Sequence, residues 1–162
     1  MAATGDAPIV VETDPEATST AGKGDVYGED DRKELYSPNV SAAHKRVAEA
    51  TVVLVGPGGF FDVTDDEAIL LNQSLANKIQ RDNGGPACSS ERYLEQPAPG
   101  FCSGFLIAPD LIATAGHCVN IKTPVHRASY VFGFGYDFEG DSDVRTIPRD
   151  DVYQSMTVVG HV

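Results

Sequence analysis

Cys102 and Cys118 lie sixteen residues apart, and His117 immediately precedes the second. Histidine is the side chain that accepts and returns a proton near neutral pH, while two cysteines either ligate a soft metal or close into a disulfide. The stretch "CSGFLIAPDLIATAGHCV", residues 102–119, therefore admits three chemistries. His117 is a general base beside a staple, a zinc ligand together with Cys102 and Cys118, or a structural histidine. The run "LIATAG" reads as a strand tapering into small residues, so Ala115 and Gly116 leave room for the ring to face a cleft. A bridge between the two cysteines would hold the ring's backbone within the small tolerance that proton transfer demands, and the hairpin spacing suits a disulfide better than a tetrahedral ligand set. Two cysteines bracketing a patterned segment also point to an oxidising compartment.

The elements that position these residues are short and β-rich. "ATVVLV" from Ala50 is β-branched and apolar, is closed by "GPGG", and predicts a buried strand ending in a turn. Further strands are expected at 103–108, 111–115 and 130–136, with "APD" as the tight link between the first two, and "MTVVGHV" as the clearest strand of 144–162. One helix is expected over residues 64–80. Thr64 and Glu67 have the spacing of a capping box, Ala68, Leu71, Leu75 and Ile79 form an apolar stripe, and "DNGGP" stops it. The stripe serves to pack the helix on its own core or to bind a partner. "VVLVGPGGFF" has the look of a dinucleotide-binding loop, but Phe61 stands where a third glycine belongs and no helix opens at once, so a turn is the better reading.

Composition narrows the classes of function. The 162 residues suffice for one domain or one lobe of something larger. Twenty-four acids against twelve bases give a net charge of −12, which repels phosphate backbones and anionic membranes, so no nucleic-acid or membrane partner is expected. The longest apolar runs fall far short of the roughly 20 residues that span a bilayer. Eight acids against Lys23 mark residues 1–31 as a solvated segment without apolar periodicity. Met1 leads into no recognisable signal peptide.

Residues 102–118 resemble the segment around the catalytic histidine of trypsin-like (chymotrypsin-fold) serine peptidases, in which a C-S-G-x-L strand and a T-A-G-H-C turn are joined by a disulfide. Cys102, Ser103, Gly104, Leu106, Thr114, Ala115, Gly116, His117 and Cys118 carry the match. "VYGEDDRKEL", from Val26, more weakly resembles the mature start of bacterial secreted glutamyl endopeptidases. The resemblance implies an all-β fold, the N-terminal β-barrel half of a double barrel, into which the helix read from the residues at about 64–81 is inserted. It implies a Cys102–Cys118 disulfide, His117 as the base that takes a proton from a serine attacking a peptide carbonyl, and secretion or a periplasmic location. Residues 1–25 are then an acidic leader or tail, removable by a cut near Lys23 to Asp25, and 26–162 form the lobe.

The family's other motifs are missing. No D-x-A-L strand and no G-D-S-G-G loop follows His117. Ser129, Ser142 and Ser155 lack the flanking glycines of an oxyanion turn, Ser103 belongs to a structural motif, and Asp151 is the least unsuitable aspartate. These absences lead us to expect half an enzyme, lacking the closing strand and the C-terminal lobe, inactive by itself and poorly soluble along its open sheet edge. A non-catalytic module that binds a partner is the contrasting reading. No cofactor is expected, with calcium on the acidic loop "DFEGDSD", residues 137–143, as the exception to test. Cys88 is left over, as a lone thiol or one that pairs outside these residues. His44, His126 and His161 show no metal-ligand spacing.

Overall fold

The computed structural model describes residues 29–119 and 127–154. The chain divides after Arg32. Of the first unit only 29–32 are described, where the Arg32 guanidinium pairs with the Asp30 carboxylate at 2.7 Å. The expected leader at 1–25, the strand at "MTVVGHV", His126 and His161 lie outside the described residues.

Among the described residues the second unit holds eight strands and two helices: α1 (Ala42–Glu49), β1 (Thr51–Val55), β2 (Phe60–Val63), β3 (Glu67–Leu70), α2 (Leu75–Asn83), β4 (Cys102–Ala108), β5 (Leu111–Thr114), β6 (Ser129–Val131), β7 (Thr146–Pro148) and β8 (Val152–Gln154). A curled five-stranded antiparallel sheet runs β5-β4-β1-β6-β8, and a three-stranded sheet runs β2-β3-β7. The fold is thus mostly β and has the form of one half-barrel.

β1 is central because its side chains are wanted on both faces, which is why its sequence is continuously apolar rather than alternating. Val52 and Leu54 point into one cluster with Cys118, Ala128 and Tyr130. Val55 points into a second with Val131, Leu70 and Ile147, and this second cluster joins the two sheets. Leu54, Leu70, Val52, Val55 and Val131 are almost wholly buried, each worth about 1.5–3 kcal/mol of transfer free energy. "GPGG" acts as a turn. Pro57–Gly59 form one turn of 3₁₀ helix, and the chain enters β2 rather than a helix.

The single helix expected at 64–81 is corrected twice. Its first half is a turn and a strand. Thr64 Oγ does accept from the Glu67 N–H at 3.1 Å, as a capping residue would. However, the Thr64 N–H donates to the Glu67 carbonyl at 2.8 Å, closing a hairpin over Asp65 and Asp66. Ala68 and Leu70, spaced by two, are both buried, and β3 pairs with β7, so tertiary burial overrides a local helix signal. The helix begins only at Leu75, where Ser74 Oγ accepts from the Asn77 N–H at 3.3 Å. It ends as expected at "DNGGP", with Gly84 in the left-handed region at φ 73°. The second correction is α1, capped by Ser41 Oγ on the His44 N–H. It buries no residue. The expected strand at 130–136 stops at Val131, since Gly133 turns the chain at φ 67°.

Leu54→Ala empties a wholly buried site and is expected to lower the unfolding free energy by about 2–5 kcal/mol. Phe105→Ala, on a side chain 54 % exposed, should cost far less. Equal losses of the two in urea denaturation would contradict this placement of the core.

Candidate active site

The β4–β5 hairpin builds the site. Gly104 faces Thr114, Phe105 faces Ala113 and Leu106 faces Ile112 across it. Position 104 must be glycine, because a Cβ there would lie 2.9 Å from both the Ala113 carbonyl oxygen and Ile112 Cγ2. The Thr114 hydroxyl donates to the Ser103 carbonyl at 2.7 Å, locking the open end of the hairpin just before the chain leaves the sheet. Ala115 then leads into a 3₁₀ turn over Gly116–Val119, in which the Cys118 N–H donates to the Ala115 carbonyl at 2.9 Å.

That turn sends neighbouring side chains in opposite directions. Cys118 is 3 % exposed and packs in the core with Val52, Leu54 and Tyr130. Its sulfur is bonded to that of Cys102, with the Cα atoms 6.0 Å apart, and Cys102 is itself paired with Leu54 on β1. His117 is exposed at the rim. The ring's ligating nitrogen and the two sulfurs all lie within 4.8 Å of one another. The three residues singled out in the sequence are therefore one cluster, closed as a disulfide beside an outward-facing imidazole.

The remaining candidates fall elsewhere. Ser103 is exposed, and its backbone carbonyl accepts the Thr114 bond. Ser129 is buried within β6, and Ser155 lies outside the described residues. Asp151 precedes β8, where its backbone carbonyl accepts from the Phe132 N–H at 2.9 Å. In the acidic loop, Asp141 turns its carboxylate inward to the Asp137 and Asp143 amides at 3.2 and 2.8 Å. Among the described residues only Cys102, His117 and Cys118 bring three metal-ligating groups together. Cys88 is an exposed free thiol 3.2 Å from Ser90 Oγ, and that contact with the hydroxyl draws its pKa below the ordinary thiol value.

The sequence reading missed two features of this region. Thr114 is a lock for the hairpin, which only the cross-strand register reveals. A shallow groove of about 890 Å³ also runs between α1 and the hairpin, lined by Arg46, Val47, Phe105, Thr114 and Ala115. Its wall α1 was itself unforeseen.

Among the described residues no helix is long and apolar enough to cross a membrane. The family model described as Trypsin matches residues 72–157, which take in the whole cluster. No curated protein and no solved structure matches.

Native protein should titrate with one thiol per chain, from Cys88, and with three after reduction in denaturant; three in the native oxidised sample would refute the bridge. Replacing Cys102 and Cys118 together by serine is expected to cost about 3 kcal/mol, the loop entropy of a sixteen-residue closure. Thr114→Val should cost about 1 kcal/mol by orphaning the Ser103 carbonyl, with Thr114→Ser restoring most of it in thermal melts.

Proposed function

Because this chain belongs to the trypsin family, we propose that it serves peptide-bond hydrolysis by a serine, histidine and aspartate mechanism, with His117 as the general base. The supporting observation is the pairing of directions in the 3₁₀ turn, where Cys118 is anchored in the core and His117, one residue earlier, is exposed. A general base must reach the proton it takes while its backbone stays still, and this arrangement meets both needs. The disulfide supports a secreted or periplasmic location.

In this reading the serine attacks the scissile carbonyl, its proton passes to the imidazole, and the imidazolium returns it to the leaving amine. An aspartate holds the ring in the tautomer that accepts. Residues 1–162 contain neither a D-x-A-L nor a G-D-S-G-G motif. This reading takes the nucleophile, the orienting aspartate and the specificity pocket from a second lobe, as the family resemblance implies. Peptides or proteins are the substrates.

The experiment is expression of the coding sequence with whatever follows codon 162, assayed on a fluorogenic casein. Activity is expected, and His117→Ala should lower kcat by at least about 10⁴-fold while the variant keeps its native circular dichroism. A coding sequence that ends at Val162, or a His117→Ala enzyme that still hydrolyses at the parent rate, would overturn the reading.

A further inference from the structure

The cluster that positions His117 also has the composition of a metal site. Two sulfurs and one imidazole nitrogen within 4.8 Å of one another are the donors that zinc prefers, and in a tetrahedral zinc site such donors stand about 3.3–3.8 Å apart. With the sulfurs bonded to each other they are poor donors, so the oxidised protein holds no zinc there. We propose that reduction of the Cys102–Cys118 disulfide converts this cluster into a zinc site with Cys102, Cys118 and His117 as its ligands.

The chemistry balances with a dithiol as reductant. Its two thiols become a disulfide, two electrons pass to the sulfur–sulfur bond, and two protons end on Cys102 and Cys118. Zinc then displaces both thiol protons into solvent and binds two thiolates and the neutral ring. Three protein ligands leave one coordination position open, toward solvent on the exposed His117 side.

The surroundings hold these ligands when the sulfur bond opens. Cys102 remains in β4, hydrogen-bonded in register with Leu54 on β1. Cys118 remains buried among Val52, Leu54 and Tyr130, and the Thr114–Ser103 bond keeps the hairpin closed beside them. Among the described residues no carboxylate joins the cluster, so the ligand set is selective for a soft, thiolate-preferring ion over calcium or magnesium. The third cysteine, Cys88, is exposed in a separate loop and outside the cluster, which makes it the internal control. If His117 is the general base, as proposed above, a zinc ion on its ring removes the lone pair that accepts the proton. The protein would then be silent in a reducing compartment until exchange with an external disulfide, itself reduced to two thiols by the two electrons of the thiolates, re-forms the Cys102–Cys118 bond and releases the zinc. The coordination itself does not depend on that reading.

Cobalt(II) is the probe. A Cys88→Ser protein, reduced with a phosphine and kept anaerobic, is expected to take up one cobalt per chain, with a thiolate-to-cobalt charge-transfer band that zinc abolishes. The oxidised protein should show no band. His117→Ala in the same background should weaken binding by at least about tenfold. Absence of the band in the reduced protein, equal binding by the His117→Ala protein, or equal binding without reduction would each overturn the site. None of these outcomes bears on hydrolysis by the oxidised enzyme.

Discussion

The bond between Cys102 and Cys118 ties a solvent-facing histidine to β4, the strand paired with the largely buried β1. β1 is covered on both faces, β4 is hydrogen-bonded to it in register, and Cys102 lies opposite Leu54. The sulfur bridge carries that rigidity across to Cys118, one peptide from His117. The turn Gly116–Val119 is also held by the Cys118 N–H bond to the Ala115 carbonyl and by the burial of Cys118. A closure of this length is worth about 3 kcal/mol, comparable to burying one large apolar residue completely. The bridge thus competes with the core in energy while acting at the rim.

Division of labour among the other elements follows from this. The two apolar clusters hold the sheets, and the second joins the five-stranded to the three-stranded sheet through Val55, Val131, Leu70 and Ile147. Neither helix contributes a buried side chain. Both depend on local devices, serine caps at Ser41 and Ser74 and a left-handed glycine at Gly84, which stabilise helix ends without packing. Of the two, α1 lines the groove beside the hairpin. The chemistry depends on the hairpin, where Gly104 permits close approach of the strands and Thr114 fixes their open end.

What could be read in the sequence tracks how local the determinant is. The β1 run, the hairpin around "APD" and the proximity of Cys102, His117 and Cys118 all rest on side-chain types at short spacing, and each is found. The helix expected at 64–81 fails because Thr64 and Glu67 make the same side-chain bond in a hairpin as in a helix cap. Only the burial of Ala68 and Leu70 against β7 and β1 decides between them. α1 was not foreseen, and it buries no residue. Thr114's role needed the cross-strand register, which no spacing along the chain reveals.

Membership of the trypsin family bears on this arrangement through the proposed role of His117, because a general base has to be rigid and reachable together. The account accordingly stands on His117 having an immobile backbone and a wet ring while the bridge is intact. Nitrogen-15 relaxation of the oxidised protein, combined with a soluble paramagnetic agent, measures both. An amide order parameter near about 0.85 at His117 and strong relaxation of its ring protons are the predicted result. A value below about 0.6, or a ring shielded from the agent, would contradict it.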